Sequence, residues 1–340
     1  MTLITVGVGV AQGALAWVAG YGVLITALAF MYLPTWALER RGERPEAFGI
    51  GSGHALRATR GALKVGLIIF PLYVGAYHLW ARAEGRSLNA SIHALSRWGE
   101  ELRGRPLSAL KVGEVRLYGD RDQLTLMWRL SPHERSFKAH LGGWGEAQVI
   151  ARSAGVKLTR PSASPSEPLQ VQGTRRGRLT LSAPASSVRY SFKVDGAPLR
   201  GERLKLGALL HSPEGEAQGE AHRDWWWLLL TLATQLLLVA LPEEIFYRGY
   251  LQGRFDQLVG RDRALFGAQV NLTSVTLTSV LFALAHLATI HHPARLAVFF
   301  PSMLFGWMRR AYGDTLTPAI FHALSNVLAQ LLWGLYPPHL

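Results

Sequence analysis

Apolar residues along this chain are concentrated in long runs that flank one extended polar segment. Residues 1–38 carry no charged side chain, and a second uncharged run extends from Trp225 to Pro242. About 20 apolar residues are enough for a helix to cross the hydrocarbon core of a bilayer. The runs predict a membrane span at roughly 13–35, a second at Val65–Ala81, and four more in the C-terminal third of the chain.

Residues 82–222 have a different pattern, in which apolar and polar side chains alternate. The clearest stretches are Val115–Tyr118, Leu124–Trp128, Arg178–Leu181 and Val188–Phe192. Alternation with a period of two is typical of half-buried β-strands. We therefore expect a mainly α-helical polytopic membrane protein of about six spans with an inserted β-rich, sandwich-like domain. The predicted organisation is two spans in 1–81, the β-rich insert in 82–222 and a catalytic membrane domain in 223–340.

The distribution of charge predicts how the spans are oriented. The formal net charge is +13, most basic residues are arginine, and the chain contains no cysteine. The loop after the first span is rich in basic residues, and such loops stay in the cytoplasm. We expect an integral protein of the bacterial inner membrane, with residues 82–222 on the periplasmic side. The basic charge suits the anionic lipids of the bilayer, and no nucleic-acid partner is expected because no nucleic-acid-binding motif accompanies it.

Two adjacent carboxylates and an arginine end the third apolar run: Glu243, Glu244 and Arg248. Each charge in such a run is unfavourable by roughly 2.5–3.5 kcal/mol on insertion scales, so these residues are functional candidates. Glu244 and Arg248 are four residues apart with the acid first, which favours a pair on one helix face. Glu243 lies about 100° away around the helix. One carboxylate can therefore be neutralised while the other faces a cavity, unless the charges simply mark the membrane boundary.

Two further polar pairs lie on later spans, and each also has a spacing of four. Phe282 precedes His286, and His322 precedes Asn326. The predicted fifth span, Leu296–Met308, is uncharged over thirteen residues. As a helix it covers about 20 Å of a core that is roughly 30 Å thick. The turn before this span should therefore enter the membrane, which brings all three polar constellations to a similar depth.

These residue types suit the hydrolysis of an amide bond. A carboxylate and a histidine beside a wet pocket can hold and deprotonate a water molecule. A second histidine and an asparagine can donate hydrogen bonds to the oxyanion that forms when this water attacks. The three constellations therefore predict a hydrolase that acts within or at the membrane.

In order and spacing the constellations resemble the motifs of the CPBP family, the CAAX prenyl endopeptidase and bacteriocin-processing-like (Abi) intramembrane glutamic proteases. The matching sequences are Glu-Glu-x-x-x-Arg at 243–248, Phe-x-x-x-His at 282–286 and His-x-x-x-Asn at 322–326. The resemblance extends over roughly residues 225–336. It implies a glutamic-type endopeptidase that cleaves a membrane-anchored or strongly hydrophobic segment, in protein maturation or in the processing of a C-terminal sorting signal.

The resemblance also implies a role for each motif residue. Glu243 would be the base that activates water, with His286 as its partner, and His322 and Asn326 would form the oxyanion hole. Three residues would support the site without reacting: Glu244, Arg248 and Phe282. Neither a metal nor another cofactor is implied.

Several alternatives stay open at this point. Glu243, His286 and His322 could bind zinc in a metalloprotease, although the chain has no His-Glu-x-x-His sequence. Buried Glu and His also occur in transporters and proton relays, and a non-catalytic receptor is a third possibility. Gly249 and Gly253 either form a close-packing face or end their helix. The substrate, the role of the insert and the oligomeric state are not predicted.

Overall fold

The computed structural model of the protein describes residues 16–51, 53–88, 95, 97–98, 110, 112, 114–120, 123–130, 136–142, 149–159, 169–182, 187–195, 204–206, 210–212, 216–289 and 291–336. The chain divides into two compact units. One combines Met1–Ala83 with Leu228–Leu332, and the other combines Glu84–Trp227 with Trp333–Leu340. Helices dominate the first unit, and strands dominate the second.

The strands of the second unit lie between the second and third helices in the sequence, and the other helices are connected by short turns and one β-hairpin. In chain order they are α1 (Ala16–Glu39), α2 (Ala55–Ala83), α3 (Trp226–Thr234), α4 (Leu241–Glu244), α5 (Gln252–Leu258), α6 (Leu272–Thr289), α7 (Phe299–Tyr312) and α8 (Leu316–Leu335). The connections include 3₁₀ turns at Pro45–Phe48 and Pro293–Val298 and the hairpin formed by Asp262–Leu265 and Ala268–Asn271.

Five helices in the described part of the chain are long and apolar enough to cross a membrane. They are Tyr21–Glu39, Ala55–Ala83, Trp226–Leu258, Leu272–Thr289 and Leu316–Leu335. The predicted fifth span corresponds to the 3₁₀ turn Pro293–Val298 followed by α7, which has 14 residues. At 1.5 Å per residue, α7 is about 21 Å long and falls short of a core of roughly 30 Å. The predicted number of six spans is therefore not confirmed.

Helices α3, α4 and α5 belong to one continuous helix of 33 residues, Trp226–Leu258, which is called the motif helix here. The segments Gln235–Ala240 and Ile245–Leu251 are π-helical turns on either side of α4. Pro242 gives a physical reason for the first of these turns. Proline has no N–H to donate, and its ring crowds the carbonyl group four residues earlier. A wider π turn accommodates both effects.

The two N-terminal helices pack directly on the C-terminal helices of the same unit. Phe30 of α1 stacks on Phe246 of the motif helix, with 4.6 Å between ring centroids. Phe70 of α2 stacks on Phe321 of α8 at 5.0 Å. Such aromatic pairs contribute about 0.5–1.5 kcal/mol beyond the burial of their area. Helices α1 and α2 are thus an integral part of the unit that contains the motif helix.

The turn between α1 and α2 explains the two glycines of the motif helix. A Cβ atom added to Gly249 would lie 2.7 Å from Ile50, and one added to Gly253 would lie 2.5 Å from Phe48. Both distances are shorter than a van der Waals contact. The helix continues past both residues to Leu258. Of the two alternatives, the glycines therefore form a close-packing face and do not end the helix.

The described residues of the second unit form two large antiparallel sheets and one sheet of two strands. Its strands are β1 (Arg97–Trp98), β2 (Glu114–Asp120), β3 (Gln123–Arg129), β4 (Ser136–Gly142), β5 (Val149–Arg152), β6 (Lys157–Thr159), β7 (Leu169–Gly173), β8 (Arg176–Ser182), β9 (Ser187–Asp195), β10 (Leu204–Leu206), β11 (Leu210–Ser212) and β12 (Glu216–Asp224). One sheet has the order β1-β12-β9-β4-β7-β6, the other has the order β2-β3-β8-β5, and β10 pairs with β11. The four stretches with alternating polarity all lie in strands, namely β2, β3, β8 and β9.

Both sheets contribute to one buried apolar cluster, which includes side chains from β2, β3, β4, β7, β8 and β9. Trp128 of β3 is fully buried within it and stacks on Phe137 of β4 at 4.5 Å between centroids. Gly173 and Gly177 lie against the indole ring, where a Cβ would approach within 2.1 and 2.0 Å. These two glycines therefore make room for the largest side chain of the core.

Candidate active site

Glu244 lies in a fully buried polar cluster. Its Oε1 atom is 3.0 Å from Nδ1 of His322, and its Oε2 atom is 3.1 Å from Nε of Arg248. The second contact is an ion pair whose N–H does not point at the oxygen. The side chains of Glu244 and Arg248 have no solvent exposure. Since an unpaired buried carboxylate is strongly unfavourable, the pairing expected from the four-residue spacing allows Glu244 to be buried as an anion.

The guanidinium group of Arg248 also contacts α7. Its Nη2 atom donates to Oγ of Ser302 at 2.8 Å and to the carbonyl oxygen of the same residue at 3.3 Å. The rings of Phe282 and Phe305 lie 4.5 and 5.2 Å from the guanidinium carbon. Cation–π contacts of this kind stabilise a desolvated arginine by up to about 2 kcal/mol. Arg248 is thus held by an anion, by a neighbouring helix and by two rings.

The contact of Arg248 with Ser302 is one of three polar contacts between the motif helix and α7. The three pairs are Arg248–Ser302, Gln252–Gly306 and Asp256–Arg310. In the second pair Nε2 donates to the carbonyl oxygen at 3.1 Å, and in the third the charged atoms are 3.6 Å apart. The members of each pair are 54 positions apart in the sequence. This constant offset shows that the two helices run parallel, with one polar contact per turn.

Glu243 has an environment unlike that of its neighbour. Its side chain is 19% exposed, and its Oε2 atom accepts no hydrogen bond from the described residues. This oxygen lies 3.9 Å from Nε2 of His322. The distance exceeds that of a hydrogen bond, and a water molecule could contact both atoms. Glu243 is therefore the carboxylate of the pair that a substrate or a water molecule can reach.

His322 lies between the two carboxylates and directs one ring nitrogen towards each. Nδ1 faces Glu244 and Nε2 faces Glu243. Because a carboxylate accepts hydrogen bonds, the Nδ1 atom carries a proton. Nε2 then accepts a hydrogen bond when the ring is neutral and donates one when the ring is protonated. Phe305 stacks on the imidazole at 4.7 Å and fixes its plane.

His286 ends the second motif and is oriented by its own helix. Its Nδ1 atom is 3.0 Å from the carbonyl oxygen of Phe282, to which it donates. Its Nε2 atom is therefore an acceptor in the neutral ring. Within residues 216–289, no direct hydrogen bond connects His286 with Glu243. The expected partnership of these two residues is thus not a direct contact. The ring of Phe282 lies 4.3 Å from that of His286 and packs beside the site.

Asn326 lies one turn after His322 on α8. Its Nδ2 atom donates to Oε1 of Gln235 at 2.8 Å. Gln235 is the first residue of the first π turn of the motif helix. The third motif is therefore fixed at both ends, through Glu244 at its histidine and through Gln235 at its asparagine.

One cavity of about 750 Å³ contacts all four residues that the sequence predicts to be catalytic. These are Glu243, His286, His322 and Asn326. Most other lining residues are apolar, and Ile69, Phe70 and Tyr73 of α2 are among them. Arg295 also lines the cavity, on the 3₁₀ turn that precedes α7. The three motifs thus surround a common space that suits an extended apolar segment.

The residues considered as zinc ligands do not form a metal-binding cluster in the described part of the chain. No three His, Asp or Glu side chains there are arranged to share one ion.

The comparison with known families agrees with the motifs. Residues 225–328 match the family model of type II CAAX prenyl endopeptidases, Rce1-like. This segment is similar to the CAAX protease family. The family is one of membrane peptidases that act on membrane-associated proteins, and together with the apolar helices it identifies an integral membrane protein. Neither a curated protein nor a solved structure is significantly similar to the chain.

Some residues at or near the cavity could not be predicted from the three motifs. Gln235 is a polar residue within the uncharged run that precedes Glu243. A polar side chain in an apolar run is the feature of the sequence that could have identified it. The contact of Ser302 with Arg248 can be predicted from the offset of 54 positions only when α7 is known to pack parallel to the motif helix. The residues of α2 lie outside the matched segment, so the family model contains no information about that wall of the cavity.

Proposed function

We propose that this protein is an intramembrane endopeptidase of glutamic type. It would hydrolyse a peptide bond in or near a membrane-anchored segment. The observation that carries the proposal is the single cavity bordered by the residues of all three motifs. Its mostly apolar lining suits a hydrophobic or lipidated substrate, and Glu243 supplies an accessible carboxylate.

The hydrogen-bond directions around the cavity suit the activation of a water molecule. A carboxylate oxygen of Glu243 and Nε2 of His286 are both acceptors, and each can take one proton of the same water. As the water oxygen attacks the carbonyl carbon, Glu243 takes one proton and the substrate oxygen becomes an oxyanion. Collapse of this intermediate breaks the C–N bond, and Glu243 returns the proton to the leaving amine.

The third motif would stabilise the oxyanion. Nδ2 of Asn326 has one N–H bonded to Gln235 and a second N–H available. His322 can also donate through Nε2, but only when its ring is protonated, since Nδ1 donates to Glu244. A preorganised donor of this kind accelerates acyl transfer by about 10²–10³-fold.

The test is cleavage of fluorogenic C-terminal peptides in proteoliposomes. One peptide ends in a farnesylated cysteine followed by three residues, and a second has an apolar segment without a lipid. Wild type and Glu243→Ala are compared with and without a metal chelator. Chelator-resistant cleavage that Glu243→Ala abolishes supports the proposal. Chelator-sensitive cleavage would indicate a metalloprotease, and cleavage unaffected by Glu243→Ala would exclude the assigned base.

We also propose that the protein lies in the bacterial inner membrane with residues 82–222 outside the cytoplasm, as a sandwich-like insert between 1–81 and 223–340. The shared core of the two sheets supports the sandwich. Because the chain lacks cysteine, orientation can be measured with single cysteines. Lys157→Cys should react with an impermeant thiol reagent added to spheroplasts, whereas Arg41→Cys should react only after lysis. The reverse result would invert the topology.

A further inference from the structure

Gln235 contacts one member of the proposed oxyanion hole although it belongs to none of the three motifs. Its Oε1 atom accepts a hydrogen bond from Nδ2 of Asn326 at 2.8 Å. Both side chains are partly buried, and both line the cavity. The two residues are 91 positions apart. The contact therefore joins the motif helix to α8 at the cavity.

The π turn explains why Gln235 reaches the same side of the motif helix as Glu243. In a regular α-helix, residues eight positions apart point in directions that differ by about 80°. The π turn Gln235–Ala240 lies between them and contains one additional residue per turn. The remaining difference is then about 20°, as for seven α-helical steps. The insertion places an amide and a carboxylate on one face, two turns apart.

The hydrogen bond to Gln235 determines which atom Asn326 presents to the cavity. A carboxamide is planar and carries two donors on its nitrogen and an acceptor on its oxygen. With one N–H directed at Gln235, the direction of the second N–H is also fixed. Without this bond the amide can rotate and present its oxygen to the developing oxyanion. The amide oxygen, which has a partial negative charge, would then face the oxyanion and raise the barrier instead of lowering it.

We propose that Gln235 is a positioning residue for peptide hydrolysis. It holds the Asn326 amide with its nitrogen towards the substrate oxygen, and it does not itself contact the reacting atoms. This inference rests on the proposed function, since it assumes that Asn326 stabilises an oxyanion.

The first test is Gln235→Met, which keeps the length of the side chain and removes its hydrogen-bonding groups. With the farnesylated peptide in proteoliposomes, kcat should fall about 10-fold, the effect of losing one ordinary hydrogen bond. KM should change less than about 2-fold, because ground-state binding is unaffected. Gln235→Asn keeps the amide but is one methylene too short, and it should show the same loss. Gln269→Met, at an exposed position on the β-hairpin, is the matched control and should retain wild-type kcat.

The second test separates positioning from packing. Asn326→Ala alone should lower the single-turnover rate about 10²–10³-fold. Adding Gln235→Met to Asn326→Ala should produce no further decrease, because the group that Gln235 orients is gone. A packing role would lower the rate by the same factor in both backgrounds and would overturn the inference, as would a wild-type rate for the folded Gln235→Asn variant. If Asn326→Ala itself keeps the wild-type rate, it is the proposed oxyanion hole that fails.

Discussion

The motif helix has two polar faces, and they differ in how their carboxylates are buried and paired with charge. The paired face contains Glu244, Arg248, Gln252 and Asp256, each of which contacts a polar group on α7 or α8 or on the helix itself. The cavity face contains Gln235 and Glu243, and the Glu243 side chain is 19% exposed, whereas that of Glu244 is fully buried. Adjacent carboxylates in the sequence are thus separated into a structural anion and an accessible one.

This difference indicates how a membrane helix can expose a carboxylate without losing its position. Burying a charge without a partner is strongly unfavourable, and an isolated carboxylate in the membrane would take up a proton. The ion pair and the contacts to α7 fix the rotation and depth of the helix. Glu243 can then remain partly exposed because its neighbours determine where it lies.

The largest effect on stability is expected when the paired face loses its anion. Glu244→Gln leaves the buried Arg248 without a counter-charge, and breaking such a pair is destabilising by about 3–5 kcal/mol. We expect a large fall in the thermal melting temperature of the protein in detergent. Replacing both partners, as in Glu244→Gln with Arg248→Met, should recover part of the loss, because an uncompensated charge is no longer buried. A melting temperature unchanged by Glu244→Gln would show that the two faces do not differ as described.

A smaller loss of stability should follow when one hydrogen bond between Arg248 and α7 is removed. Ser302→Ala removes the hydroxyl that accepts from Arg248 at 2.8 Å. A hydrogen bond to a charged group contributes about 1.5–3 kcal/mol. The carbonyl contact at 3.3 Å remains, so the decrease in unfolding free energy should lie near the lower end of this range. We expect kcat to stay within about 2-fold of wild type. A fall in kcat as large as that of an oxyanion-hole variant would place Ser302 on the reacting side instead.

The smallest effect on stability is expected near the C-terminal end of the motif helix, and it depends on pH. Arg254 forms an ion pair with Glu43 in the turn after α1. The hydrogen bond from Arg254 lowers the pKa of Glu43 below its usual value of 4.5. A lowered pKa means that the stabilisation is complete above pH 4.5 and is lost as the pH falls through the lower value. Wild type should therefore melt slightly above Glu43→Gln at pH 7, and the two should converge in acid. A difference that grows in acid would contradict the pairing.

The sequence predicted the parts of the site that depend on spacing within one helix. The pairing of Glu244 with Arg248 follows from an interval of four residues, and the short uncharged run Leu296–Met308 predicts that the three motifs lie at a similar depth. The contact of His322 with Glu244 could not be predicted, because it depends on how α8 packs against the motif helix. The position of Gln235 could not be predicted for another reason. A π turn changes the angle between residues around the helix axis, and regular α-helical spacing therefore places Gln235 on a different face from Glu243.

The same limit applies to the fold. Alternating polarity located β2, β3, β8 and β9, because a half-buried strand has a period of two regardless of its partners. Hydropathy alone counted six spans, although α7 is short and packs along the motif helix through polar contacts. The contribution of α2 to the cavity has no local signature either. This contribution depends on the stacking of Phe70 on Phe321, and these residues are far apart in the sequence.

The most direct test of the central claim is the single-turnover cleavage rate of Glu243→Gln, measured together with its melting temperature. The substitution keeps the shape of the side chain and removes the proposed base. We predict a rate about 10³-fold below wild type, within the range for loss of a general base, and an unchanged melting temperature, because the 3.9 Å between Glu243 and Nε2 of His322 is too long for a hydrogen bond. A rate within 3-fold of wild type in a folded protein would show that the reactive carboxylate lies elsewhere.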